Sequence, residues 1–346
     1  MFRFLRVQII HPCRAKCTWC ATHKKNPLFQ KLVDNGMAKQ IHDFYIETIR
    51  RLKPEEVFIS GGEPMLSPDI ADFLNAIAPH VKLINLFTSY QWSAGDRKRM
   101  PLDRMPLDKI VFNHTPIYFD PDEWEKLTRG FPFDVYLENL QHFASLPARK
   151  RFKFIINHER FPEEFRRFQE IVQPDKTFML SLKVINDQGN GLMVDRMTET
   201  RALINERVQQ LDTLIEGEGL GIEGEGWGTI RRTAGSLDQM AVLLEDGDVE
   251  HCAFRNDPIE LRFALDPKVR RGKAVLRYRY CPYFPPDFGH RFHIGRDDPA
   301  LLEQNYFKGD FRKHCAKCRF LRYYAGTPKH LDKEAAGSTP QREEAR

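Results

Sequence analysis

The 346-residue chain lacks any apolar run of about 18 residues, so no membrane-spanning helix is expected. Its opening, MFRFLRVQIIHP, is too short and too interrupted by arginine to be a signal peptide. No block of five or six like charges occurs, and the net charge of +5 is spread over many residues. A nucleic-acid partner is therefore disfavoured against an ordinary solvated surface. Cysteine is present in an odd number, seven, which argues against a disulfide framework and for metal ligation or catalysis. Together these absences lead to the expectation of a soluble cytoplasmic protein without a membrane partner.

What is there suffices for a large core. The chain is 41% hydrophobic with 26 phenylalanines, enough for one large domain and a smaller one. Short apolar strands are expected at 6–12, 57–60, 81–89, 109–117, 151–159 and 176–185. Between them lie helical patterns. One runs over 38–52 with Ile41, Tyr45, Ile49 and Leu52 on one stripe. Another follows SP at 67–68, with Ser67 as expected N-cap and Pro68 at the first helical position. Two more carry Phe165, Phe168 and Val172, and then Ile204, Val208, Leu211 and Ile215. The tandem RMPLDRMPLD at 99–108 reads as a connector. Strands alternating with helices build a parallel sheet, so the fold class is α/β, with an open sheet and a barrel both left possible.

The glycine-rich EGEGLGIEGEGWG at 216–228 reads as a linker. It divides a core domain, 1–217, from a second domain, 218–328, where MAVLLEDGDVEHC suggests a hairpin about Asp246-Gly247. Residues 329–346 are polar and expected to be disordered.

Cys13, Cys17 and Cys20 follow the first strand with spacing C-x3-C-x2-C. A structural zinc site wants four ligands. Clustered thiolates without an obvious fourth partner suit a cubane iron–sulfur cluster with one iron left open. His11 and His23 flank the motif, so zinc stays open on spacing alone. The second constellation is Gly61-Gly62-Glu63-Pro64 at the end of the second strand. Glycines let backbone carbonyls approach a ligand, and Glu63 is a candidate acceptor for an ammonium group. A plain Gly-Gly turn before a helix is the alternative.

The cysteine triplet, with Trp19 just before its last member, and the GGEP turn one strand later resemble the radical S-adenosylmethionine superfamily. The resemblance implies a partial (β/α)6 barrel, a [4Fe–4S] cluster on the three cysteines, and S-adenosylmethionine bound at the open iron. It implies reductive cleavage to a 5′-deoxyadenosyl radical that abstracts hydrogen, and an electron donor such as flavodoxin or ferredoxin. The GGEP turn would meet the cofactor's amino group. By position alone, Thr88 and Ser89 after the third strand, Asn113 ending the fourth, Asn157 the fifth and Val184 the sixth become cofactor candidates. His114 shares the end of the fourth strand.

Cys252, Cys281, Cys315 and Cys318 lie beyond the linker. DGDVEHC and HCAKC resemble the SPASM/Twitch extensions of radical enzymes, although Tyr324 stands where a further cysteine of that pattern would fall. Four thiols serve a second [4Fe–4S] cluster or zinc. A closed cluster would carry an electron from a product radical, which points to an oxidative outcome such as dehydrogenation or a cross-link. The substrate is expected to be a peptide or a small molecule. The first strand begins at once, so no leader-binding domain is expected in front. A molybdenum-cofactor-type GTP cyclase ranks behind, because the chain ends in EEAR and carries four distal cysteines. A zinc-stabilised binding protein is the reading from another class.

Overall fold

The computed structural model describes residues 4–14, 17, 26–116, 119–156, 161–175, 177–184, 229–233, 259–265, 274–279, 291–293 and 298. Six parallel strands form its centre: β1 (Phe4–Ile9), β2 (Glu56–Gly61), β3 (Leu83–Phe87), β4 (Ile110–His114), β5 (Arg149–Ile156) and β6 (Phe178–Val184). This is the α/β architecture expected. Helices connect them: α1 (Asn26–Asp34) and α2 (Met37–Leu52) after β1, α3 (Ile70–Ile77) after β2, and α4 (Ala94–Arg99) after β3. Next come α5 (Pro121–Thr128) and α6 (Phe133–Ala144) after β4, and α7 (Phe161–Val172) after β5.

Alternation along the strands sorts the two faces of the sheet. Val7, Ile9, Val57, Ile59, Ile84, Leu86, Phe112, Phe152 and Phe154 are buried with the helix stripes Ile41–Tyr45–Ile49, Phe73–Ile77 and Tyr136–Leu140–Phe143. Phenylalanine supplies much of this layer through edge-to-face pairs, such as Phe154–Phe168 at 4.7 Å and Phe152–Phe168 at 4.9 Å. The other face is polar. There Asn85 donates to Glu56 (2.9 Å), and Arg151 donates to Asn85 (3.2 Å).

Four further strands extend the same sheet. β7 (Thr229–Thr233) pairs parallel with β6, and β8 (Ile259–Leu265) pairs parallel with β1. β9 (Ala274–Arg279) and β10 (Arg291–His293) continue antiparallel beyond β8. The strand order is β10-β9-β8-β1-β2-β3-β4-β5-β6-β7.

Two details differ from the sequence expectation. Ser67 does not cap α3. Glu63 caps a 3-10 turn over Pro64–Leu66, Ser67 closes that turn, and Asp69 takes the N-cap position of α3. The reason is a pull from α2, whose His42 Nδ1 donates to Asp69 at 2.6 Å while its Nε2 accepts from Ile10 N–H at 2.9 Å. The RMPLD repeat is a connector, but each copy closes a 3-10 turn, Leu102–Arg104 after Pro101 and Leu107–Lys109 after Pro106. The expected helix over 199–215, the glycine-rich stretch and the hairpin at 246–247 lie outside the described residues. No helix among the described residues is long and apolar enough to cross a membrane.

Candidate cofactor site at the strand ends

The site is assembled where the loop after β1 meets the turns after β2 and β3, at the C-terminal rim of the parallel strands. Asn26, the first residue of α1, grips Cys13 on both sides of its backbone. Its Oδ1 accepts from Cys13 N–H (3.0 Å) and its Nδ2 donates to the Cys13 carbonyl (2.7 Å). Arg14 reaches across to Asp96 on α4 at 2.5 Å. Cys17 is 9% exposed and lies against the side-chain amide of Gln91. Trp19, Cys20 and His23 lie outside the described residues, as do Asn157, Cys252, Cys281, Cys315 and Cys318; Val184 ends β6 opposite Ile156, with only its backbone described.

The two glycines have a packing reason as well as a ligand one. A Cβ on Gly61 would stand 2.3 Å from the Ile9 carbonyl oxygen, and one on Gly62 would stand 2.0 Å from the His11 oxygen and 2.7 Å from Cys13 N. Only glycine lets the β2 turn lie flat against the cysteine loop.

Glu63 sits 1% exposed. Its Oε1 accepts from Met65 N–H (3.1 Å) and Thr88 Oγ–H (2.9 Å). Its Oε2 accepts from Ser89 N–H (2.8 Å) and Ser89 Oγ–H (2.6 Å). Burial raises its pKa, against the lowering pull of these donors. The carboxylate thus ties the end of β2 to the end of β3, and Thr88 and Ser89 are its partners.

Asn113 is buried at the end of β4 and donates to the Val111 carbonyl at 2.9 Å, within the polar face that contains Asn85 and Arg151. Beside it, His114 Nδ1 donates to the Thr88 carbonyl (3.0 Å) and its Nε2 accepts from Tyr136 O–H (2.9 Å). Burial pushes the His114 pKa down to about 3, and the Thr88 bond opposes this. It is a neutral clamp between β3, β4 and α6.

Sequence reasoning passed over Asn26, Gln91, Asp96 and Asn139. Only Asp96 carried a local signal, the S-x-x-D of Ser93-Ala-Gly-Asp96, which forms a full capping box at α4. The others act over long separations.

The donor chemistry suits a sulfur-held group. Among the described residues, no group of three or more His, Cys, Asp or Glu gathers as a metal site, the third cysteine of the triplet lying outside them. The two described thiols stand on a loop pinned at Cys13 and Arg14. The carboxylates beside them, Glu63 and Asp96, are taken up by the protein's own donors. Soft sulfur without competing oxygen fits iron–sulfur ligation rather than a hard cation.

Comparison with known proteins bears on the fold and on part of the sequence. The fold matches Streptococcus suis SuiB with a TM-score of 0.58 at 13% identity, over 97% of this chain and 75% of that one. The S-adenosylmethionine-bound form of SuiB matches with a TM-score of 0.53 at 14% identity, over 97% and 73%. In sequence, a GTP 3′,8-cyclase of Limosilactobacillus fermentum is 24% identical over 149 residues, 42% of this chain and 43% of that protein. The enzyme of the same name from Lactiplantibacillus plantarum matches equally, 24% over 149 residues. No protein-family model matches. The match thus spans less than half the length of these curated relatives. The chain shares the fold of the SuiB structures, and part of its sequence resembles GTP 3′,8-cyclases. Within this fold, the cysteine loop, the Gly-Gly turn and the β3 terminus occupy the rim where α/β barrels place their chemistry.

Proposed function

We propose that this chain is a radical S-adenosylmethionine oxidoreductase that cleaves S-adenosylmethionine reductively and abstracts hydrogen from a peptide or small-molecule substrate with an oxidative outcome. The observation that carries the reading is the cysteine loop held flush against the Gly61-Gly62 turn, with no room for a side chain between them. Cys13, Cys17 and Cys20 would hold a [4Fe–4S] cluster, which would supply the electron for reductive cleavage of the sulfonium. The protein's part is placement. Asn26 and Arg14 fix the loop, and the Gly61–Gly62 turn offers backbone carbonyls to the cofactor's amino group. Glu63, committed to Thr88 and Ser89, sets the angle between that turn and the β3 end. Thr88, Ser89, Asn113, Asn157 and Val184 are the remaining rim candidates for the nucleoside.

In this reading residues 1–217 are the core domain and 218–328 a Twitch-like domain. Cys252, Cys281, Cys315 and Cys318 would hold a second [4Fe–4S] cluster, and a flavodoxin or ferredoxin would supply electrons. SuiB has been seen bound to its precursor peptide SuiA, which supports the peptide class. The curated relatives favour a second reading, cyclisation of GTP.

The test is anaerobic reconstitution with iron and sulfide, then dithionite and S-adenosylmethionine. The expected product is 5′-deoxyadenosine, lost in Cys17→Ala, with about eight irons per chain if both clusters form. Zinc without sulfide, or product formation unchanged in Cys17→Ala, overturns it. Consumption of GTP in the same assay selects the second reading.

A further inference from the structure

Between β3 and α4 the chain makes a turn that the surrounding side chains over-determine. Tyr90 has φ 57°, the left-handed region that a bulky aromatic residue enters at a cost of about 1–3 kcal/mol. Asn139 of α6 holds the turn by donating to the carbonyls of both Tyr90 and Trp92, each at 2.9 Å. Gln91 N–H donates to Ser89 Oγ (3.2 Å), and Ser89 in turn is bound by Glu63. Such strain, held in place from two sides, points to a side chain that has to be aimed.

The side chain so aimed is Gln91. It is 3% exposed, and its amide faces Cys17, with Nε2 at 3.4 Å and Oε1 at 3.5 Å from Sγ. The near-equal distances make the orientation of the amide immaterial, since either places an N–H on the sulfur. A protonated thiol has a use for both contacts. A metal-bound thiolate carries no proton, so only donation from the amide survives. Hydrogen bonds to cluster sulfurs favour the reduced, more negative state and tune reduction potential.

We infer that Gln91 is a positioning residue that donates an N–H···S hydrogen bond to the cluster-bound Cys17 thiolate and raises the potential of that cluster. The inference rests on the proposed role of Cys17 as a cluster ligand. Glu63 then has a second effect, because through Ser89 it sets where the Gln91 amide stands.

The experiment uses the full chain, reconstituted anaerobically, as parent, Gln91→Leu and Gln91→Glu. Iron and sulfide content, circular dichroism and a redox titration followed by electron paramagnetic resonance are read for each. Both variants are expected to stay folded and loaded while the midpoint moves to more negative potential. For Gln91→Leu the expected shift is about tenfold in the reduction equilibrium, ~59 mV for a one-electron couple. Gln91→Glu, which adds a negative charge beside the sulfur, should move further. Midpoints of the loaded variants that coincide with the parent overturn the inference. So does loss of the cluster from both variants with the parent intact, which assigns Gln91 to assembly alone. If only Gln91→Leu fails to load, Gln91→Glu decides. A parent that binds no iron–sulfur cluster sinks the functional reading itself and this inference with it.

Discussion

Asn26 and Cys13 form a reciprocal pair in which one side-chain amide satisfies both the N–H and the carbonyl of a single residue, at 3.0 and 2.7 Å. The backbone of the first cysteine of the triplet is therefore held by the protein's own groups, as the proposed cluster site would need. Asn26→Ala should leave the sheet intact and lower stability by about 1–3 kcal/mol, since it orphans two backbone groups. Iron and sulfide retained after reconstitution should fall with it. Unchanged iron content with the same urea midpoint would show that the loop needs no such grip.

Gly62→Ala tests the close approach of the β2 turn to the cysteine loop. The added methyl would meet the His11 carbonyl and Cys13 N–H, both backbone, so relief requires moving the loop. A loss of about 1–3 kcal/mol or more in urea unfolding is expected, together with loss of cluster binding. Gly95→Ala is the control. Its Cβ would stand 3.8 Å from Ser93 Oγ inside α4, and the change should be neutral or stabilising by about 0.5–1 kcal/mol.

Glu63→Gln replaces an acceptor of four hydrogen bonds by a group that brings two donors against existing donors. A cost of about 2 kcal/mol or more is expected from loss of charge-assisted bonds. The loss should appear in chemical denaturation of the metal-free chain, since these bonds join β2 to β3 without any ligand. Equal stability of Glu63→Gln and parent would contradict a structural role for this carboxylate.

His114 sets an acid limit. Its pKa is ordinarily 6.5 and burial holds it at about 3 in the folded chain. The unfolded chain takes up a proton as pH falls through 6.5 and the folded chain does not, so stability is full above that pH. It is lost by about 1.4 kcal/mol per pH unit on the way down to about 3. Asp69, held down to about 2 by hydrogen bonds from His42 and Ser67 despite its burial, contributes a further loss only below its ordinary value of 3.8. Urea unfolding between pH 7 and pH 4 should show the slope, and His114→Asn should flatten it by one proton's worth.

The six central strands were legible because they are short runs ended by turn residues, as in EEVFISGG and KIVFNH, whereas β7 to β10 were not expected from the sequence. α5 and α6 went unread although both carry signals. Asp120-Pro121 with Glu123 caps α5, and Phe133, Tyr136, Leu140 and Phe143 lie on one face of α6. The cysteine triplet and the glycine pair were legible because their chemistry is local in sequence. Gln91 was not, because it meets Cys17 across 74 positions and only the left-handed turn at Tyr90 brings it there. The pairing of β8 with β1 is hidden for the same reason, since strand periodicity says nothing about which distant strand is the neighbour.

That pairing bears on how the polypeptide must be handled. β7 and β8, both downstream of residue 217, protect opposite flanks of the central parallel array. A polypeptide terminated at 217 would bare the outer hydrogen-bonding groups of β1 and of β6 together, two raw templates for intermolecular pairing. Expression of the front portion by itself should therefore yield insoluble material rather than a smaller working catalyst.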